Sequence, residues 1–344
     1  MELERFDPAD DRDAVRACHE IYLSGLAADD PIGPPMSYRA FAGWLELGWT
    51  EDPQETWLAR DGSGEACGWY VLGLPERENR RLAGLRVVVR AAQRRAGVGT
   101  ALFRHGAARA QKAGRTQLDA SAREGSPGSA FARALGARPG ITEVRRVLDL
   151  ETLPDGHLTR LRAKAEAAAR GYELMSWDGP VPEDHLEDVA AINNDATADM
   201  PREPGQQAQR WNAERIRLDE RRVAAQGLRS YTVAARSSAT GELAGLTQLA
   251  VDPADPAWGF QELTAVARPH RGHRLGLLVK AAMLDRLAER EPQISRILTG
   301  NADDNKHMIA INAELGFGVL GNWLSWEIEV ARALAPPGPL RAQP

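Results

Sequence analysis

The chain is short of cysteine. Cys18 and Cys67 are its two thiols in 344 residues, too few for a disulfide framework, and no C-x-x-C pair or histidine cluster offers metal ligands. No metal is expected, and free thiols fit a reducing cytosol. Long apolar runs are missing too: nothing approaches the ~18 residues of a membrane span. The opening MELERFDPADDRDAVRACHE is too charged for a signal peptide. A cytoplasmic chain without a membrane partner is therefore expected. There is no excess of positive charge, with 43 Lys+Arg against 48 Asp+Glu and a net charge of −5. A nucleic-acid partner is set aside, because binding phosphates needs clustered Lys/Arg that release counterions.

What the sequence has is a soluble globular balance, 43% hydrophobic and 26% charged. Its length exceeds one ordinary domain of about 100–200 residues. Self-similarity explains the excess. Phe6-Asp7 aligns with Trp177-Asp178, VVVRAAQRRAGVGTAL with TAVARPHRGHRLGLLV through Val89 and Val266, and ALGA with ELGF through Gly136 and Gly316. The three matches keep the same order at spacings of 171, 177 and 180 residues, which points to a tandem duplication. Expected boundaries are 1–150, a linker helix over 151–171 ended by Gly171, 172–334, and a disordered Pro-rich tail over 335–344.

Each copy reads as strand, helices, a hairpin, a strand–turn–helix, then strand, helix and strand. The hairpins turn at Asp61-Gly62-Ser63-Gly64 and at Ala239-Thr240-Gly241. The fold class expected is mixed α/β on a mainly antiparallel central sheet with flanking helices, built twice.

The sharpest local signal is Arg94-Arg95-Ala96-Gly97-Val98-Gly99, after a strand and before a helix. Glycines there let backbone approach a ligand, and the first free N–H groups of the helix, with its dipole, make an anion site suited to phosphate. Its counterpart is Arg271-Gly272-His273-Arg274-Leu275-Gly276, where Arg274 stands in for a glycine. Neither turn ends in Gly-Lys-Ser/Thr, so a Walker loop is excluded, and the three-glycine dinucleotide fingerprint is absent.

With R-x-x-G-x-G after a strand, and with Asn305 standing before Leu315-Gly316-Phe317, the chain resembles the GNAT superfamily of acyl-CoA N-acyltransferases in its tandem, mycothiol synthase-like form. The resemblance implies acetyl-CoA as co-substrate. It puts Val266 and Ala267 along the pantetheine, Arg271, Gly272, His273, Arg274, Leu275 and Gly276 around the pyrophosphate, and Asn305 near either. In the first copy it points to Val89, Arg94, Arg95, Ala96, Gly97, Val98 and Gly99, with Ser126 in place of the Asn.

A base must take a proton from an amine acceptor. Glu262 fits if strand alternation places it with Thr264, Val266 and Phe260 on one face, although the family's usual Glu falls at Phe260. The matching face of the first copy, Val89, Val87, Leu85 and Ala83, has no acid. The family's general-acid Tyr falls at Asn312, which offers at most a hydrogen bond to the leaving sulfur. Asp199 and Glu203 are the acceptor-side candidates for a cationic small molecule. Trp211, Trp258, Trp323 and Trp326 are candidates to line a pocket, and His270 and His273 are read as packing or surface groups. The expected activity is acetyl transfer to a small-molecule amine, with the chemistry in the second copy. A non-catalytic acyl-CoA-binding or sensing protein, a longer acyl donor and an O-nucleophile stay open, as do monomer and homodimer.

Overall fold

A computed structural model describes residues 1–30, 32–48 and 52–335; the expected tail therefore lies almost entirely outside the described residues. Chain order is β1 (Glu2–Phe6), α1 (Arg12–Asp29), α2 (Tyr38–Leu47), β2 (Gln54–Arg60), β3 (Ala66–Gly73), β4 (Leu82–Val89), α3 (Val98–Lys112), β5 (Gln117–Arg123), α4 (Pro127–Ala134) and β6 (Arg138–Asp149). It continues as α5 (His157–Ala168), β7 (Tyr172–Asp178), α6 (Leu186–Asp199), α7 (Ala213–Ala225), β8 (Arg229–Ser237), β9 (Leu243–Val251) and β10 (Trp258–Val266). It ends with α8 (Leu275–Arg290), β11 (Arg296–Ala302), α9 (Lys306–Leu315), β12 (Gly318–Glu329) and α10 (Val330–Leu334). This is the mixed α/β architecture read from the sequence.

Two compact units form: residues 1–140 with 323–344, and residues 141–322. These differ from the boundaries expected at 150 and 172. The reason is strand pairing. β12, the last strand of the second copy, pairs antiparallel with β5 from Trp323↔Arg123 to Glu329↔Gln117. β6, the last strand of the first copy, pairs antiparallel with β11 from Arg296↔Asp149 to Ala302↔Glu143. Each copy thus gives its final strand to the unit built by the other. The segment read as a linker contains α5, but Leu161 and Ala165 of that helix are buried in the core of the second unit; it is a packed layer of that unit.

In the first unit the strands run β1-β2-β3-β4-β5-β12. The β2–β3 hairpin turns through Asp61, whose carboxylate accepts from the backbone N–H groups of Ser63 and Glu65. Apolar residues line both faces of the sheet. Leu85, Leu102, Phe103 and Leu118 lie in one cluster with α3. Val15, Phe41, Trp44 and Trp69 lie in the other with α1 and α2. The second unit runs β7-β8-β9-β10-β11-β6, with Leu249, Leu278, Met283 and Phe317 clustered on the α8 side and Trp177, Val189, Ile192 and Leu246 on the α6 side.

The feature that positions a site is a pair of short parallel contacts. β4 and β5 pair only over Leu82–Gly84 and Gln117–Asp119. β10 and β11 pair only over Trp258–Phe260 and Arg296–Leu298. Beyond those residues each pair diverges, and the diverging ends lead straight into the two glycine-bearing turns.

Candidate active site

The turns repeat each other at the level of the backbone. In the first, Arg95 (φ 66°) and Gly97 (φ 86°) are left-handed; in the second, Gly272 (φ 89°) and Arg274 (φ 55°) are. The same two positions carry positive φ in both turns, with the glycine and the arginine exchanged. A left-handed arginine is uncommon because Cβ crowds the following carbonyl. Arg274 thus occupies a glycine-like conformation, and its guanidinium lies 3.4 Å from Glu314. Gly97 and Arg274 are the N-cap residues of α3 and α8, and neither helix start has a side-chain cap. The first backbone bonds accepted from within each helix are those of Ala101 to Gly97 and Leu278 to Arg274. The N–H groups of Val98–Thr100 and Leu275–Leu277 therefore remain for a ligand.

Small residues keep these helix starts close to the strand. A Cβ on Gly99 would sit 3.5 Å from Val89, and one on Gly276 would lie 3.0 Å from Ile311 and 3.9 Å from Val266. Each turn is also clamped from the side by the preceding long helix. Arg94 pairs with both oxygens of Asp29 at 2.7 and 2.9 Å, while Ala91 N–H donates to Ser24 Oγ. In the second unit Arg271 Nε donates to the Val266 carbonyl at 3.1 Å and Nη2 to Asp199 at 2.6 Å. Arg268 donates to Asp199 through its side chain and to Asp195 through its backbone. The two guanidinium groups, Arg268 foremost, hold the Asp199 carboxyl below its ordinary pKa.

These contacts settle where several expected residues sit. Asp199 clamps the turn. Glu203 accepts from the backbone N–H of Ile141. Asn194 ties down the Trp211 backbone through both its amide atoms. Asn305 caps α9 by accepting from Met308 N–H, as Ser126 caps α4 by accepting from Ser129 N–H; the cap uses Asn305 Oδ1 and leaves Nδ2. His270 meets Tyr172 through a ring-nitrogen hydrogen bond of 3.1 Å, and His273 packs on the same ring. Trp258, Trp323 and Trp326 are buried, each within its unit's packing.

Glu262 sits where the strand pattern breaks. Gln261 faces Leu249 and Thr264 faces Thr247, so β10 carries one extra residue between them. This β-bulge corrects the expected face: Gly259, Gln261, Thr264 and Val266 lie together, and Glu262 and Phe260 do not share it. Side chains agree, since Gln261 Nε2 donates to Thr247 Oγ1 at 3.0 Å and Thr247 meets Thr264 at 2.7 Å. The side chain of Glu262 is solvent-exposed, yet the protein around it desolvates its carboxylate and raises its pKa. Arg222 opposes the rise and Asp219 adds to it. β4 pairs with β3 in unbroken register from Gly68↔Val89 to Gly73↔Gly84 and has no such bulge.

Asn312 is the second correction. It is fully buried, accepting from Lys280 Nζ at 2.6 Å and donating to Asn301 Oδ1 at 2.6 Å. Its amide therefore faces the interior. Sequence reading also missed Asp119, which faces Glu327 across β5 and β12. Burial first, and then the Glu327 charge, push its pKa up to about 6. Only the exchange of final strands brings these two carboxylates together.

Comparison with known proteins fits this geometry. The acetyltransferase (GNAT) family model matches residues 17–136. A tandem GNAT protein from the clavulanic acid biosynthesis pathway is 30% identical over 96% of this chain and 98% of its own, with a TM-score of 0.80. The chain belongs to the GNAT acetyltransferase family. A GCN5-related N-acetyltransferase from Sphaerobacter thermophilus (15% identity, 96% of this chain and 95% of that one, TM-score 0.65) shares the fold. So does a putative acetyltransferase from Pyrococcus horikoshii (15%, 95% and 89%, TM-score 0.56). No curated protein sequence matches the chain.

GNAT proteins use acetyl-CoA as co-substrate and transfer its acyl group. The residues present suit that molecule in two respects. Uncapped helix starts suit a diphosphate, and diverging strands leave main-chain groups free to pair with an extended amide-bearing arm. Both turns of this GNAT chain have these features; the bulged strand with its acid belongs to the second alone.

Proposed function

We propose that the protein transfers an acetyl group from acetyl-CoA to the amine of a small molecule, with the chemistry in the second unit. The observation that carries this reading is the bulge of β10. It sets Glu262 apart from the strand's alternation, two residues past the last β10–β11 pair and on the strand that leads to an uncapped helix start, and no equivalent exists in β4. The thioester brought by the co-substrate supplies the activated acyl group.

The protein's own groups have three tasks. The N–H groups of Leu275 and Gly276 hold the diphosphate, helped by the α8 dipole. The main chain of Val266 aligns the pantetheine arm; Ala267, expected to share that task, spends its N–H on Ala244 and its carbonyl on His270. Glu262 takes the proton that an attacking amine must lose, directly or through a water; a carboxyl with raised pKa is a better acceptor at neutral pH than an ordinary Glu. Arg271, anchored by Asp199, keeps the turn in its binding shape without needing to touch the ligand. A cytoplasmic setting fits two unpaired thiols, both buried.

Steady-state release of coenzyme A across a panel of small amines tests the proposal, with wild type compared against Glu262→Gln. Amine-dependent release that Glu262→Gln suppresses, without loss of coenzyme A binding, is expected. Binding with no amine-dependent release would favour a sensing protein instead.

A further inference from the structure

The family position for a general-acid Tyr holds Asn312, and its surroundings form a buried polar chain. Lys280 of α8 is 3% exposed and Asn312 of α9 is 0% exposed. Lys280 Nζ donates to Asn312 Oδ1, Asn312 Nδ2 donates to Asn301 Oδ1, and Lys280 also lies 5.0 Å from the centre of the Phe317 ring. Asn301 stands on β11 beyond Leu298, the last residue paired with β10, so it lies on the diverging part of the strand. No described residue accepts a hydrogen bond from Asn301 Nδ2.

A protonated lysine has donors only, whereas an amide has one donor end and one acceptor end. Lys280 therefore forces Asn312 to turn its oxygen inward and its NH2 toward Asn301. Asn301 must in turn offer its oxygen to Asn312, which leaves its own NH2 for a third partner. We infer that Lys280 is a positioning residue for acyl transfer. Through Asn312 it fixes Asn301 so that Nδ2 presents N–H donors at the diverging ends of β10 and β11, where the sulfur of a departing thiolate needs one. This rests on the proposed reaction in the second unit, and it supplies the leaving-group contact that the absent Tyr would otherwise make.

The buried ammonium is poised to lose its charge. Burial alone pulls the Lys280 pKa from 10.5 down to about 7. Charged groups on the elements packed around it are engaged elsewhere. On α5, Arg162 pairs with Glu166 and Asp285, and Lys164 with Glu314 of α9. Arg274 also meets Glu314. Arg286 of α8 pairs with Asp178, Arg229 of β8 with Glu291, and Arg296 of β11 with Asp149. On β10, Glu262 is exposed. A neutral amine is able to accept as well as donate, so deprotonation frees Asn312 to reverse and removes the fixed polarity of the chain.

The test begins without ligand. In 15N-labelled full-length protein, the side-chain amide signals of Asn312 and Asn301 are expected to titrate together near neutral pH, and to be flat in Lys280→Met. In the reaction, Lys280→Met is expected to lower kcat about tenfold, one oriented hydrogen bond's worth, with the acyl-CoA KM within about twofold. Lys280→Arg, which keeps a donor-only group, recovers part of the loss and removes the limb of the pH profile near neutrality. Lys280→Met with Asn301→Ala is expected to be no slower than Asn301→Ala alone. Flat amide signals in the folded wild type, an unchanged kcat in Lys280→Met, or losses that multiply would overturn the inference. A failure of acyl-CoA to bind the second unit instead sinks the proposed reaction while the amide titration persists, so the two failures are distinguishable.

Discussion

At the scale of single residues, three buried or desolvated titratable groups carry opposite signs of pH dependence. Glu262 accepts a proton only when ionised. The raised pKa therefore predicts an acid limb in kcat/KM centred above the ordinary Glu range, with activity rising as pH rises through it. Glu262→Gln is expected to abolish that limb and lower kcat by roughly 10²–10⁴-fold, read from rate–pH profiles of both proteins. Asp119 is a group whose folded pKa, about 6, exceeds its ordinary 3.8. Its folded form holds the proton longer, so stability is greatest at low pH and falls as pH climbs through that interval. Asp119→Asn is expected to stabilise the protein at pH 7 by on the order of 2 kcal/mol, measured by denaturant unfolding at pH 4 and pH 7. For Lys280 the folded pKa is the lower one, about 7 against 10.5. The unfolded chain binds the extra proton between those values, so this residue makes stability rise with pH across that window, a slope that Lys280→Met removes.

At the scale of elements, the two turns show what this strand-to-helix connection requires and what it tolerates. It requires positive φ at two positions, Arg95 and Gly97 or Gly272 and Arg274, because only that path brings the strand's end round to an uncapped helix start. It tolerates arginine at one of them at a cost of about 1 kcal/mol. Arg274→Gly is accordingly expected to raise Tm by about 2–4 °C, with little change in coenzyme A affinity, since the Arg274 guanidinium contacts Glu314. Asp199 predicts the reverse pattern. Replacing it with Asn loosens the ion pairs to Arg268 and Arg271 and is expected to weaken coenzyme A binding several-fold by calorimetry, with kcat little changed. Acidity at the end of α6, read from sequence as acceptor recognition, belongs to this clamp.

At the scale of the whole molecule, duplication and strand pairing do not coincide. A fragment ending at residue 150 keeps every element of the first copy but loses β12, which covers the edge of β5 and brings Ile328 into the core, and α10, which brings Val330 there. An uncovered edge strand with missing core residues favours aggregation. Residues 1–150 expressed alone are expected to be insoluble or to unfold without a cooperative transition, by circular dichroism and size exclusion. A fragment starting at residue 172 loses β6 and α5 and is expected to fare no better. Either fragment melting cooperatively as a soluble monomer would contradict the exchange.

The sequence by itself determined the duplication, the mixed α/β order, both glycine-bearing turns and the family, because these depend on local properties: chain periodicity, turn residues and short spacings that one strand–turn–helix carries. It also placed Glu262 on the strand before the second turn. Three outcomes needed the tertiary structure. The bulge at Gln261–Thr264 shifts which residues share a face, and register is set by the neighbouring strand. The inward turn of Asn312 depends on a lysine 32 residues away in the chain, and whether an amide faces ligand or core follows from what packs against it. The exchange of β6 and β12 is decided by which sheet edge each strand covers, a long-range pairing that no local pattern in the chain records.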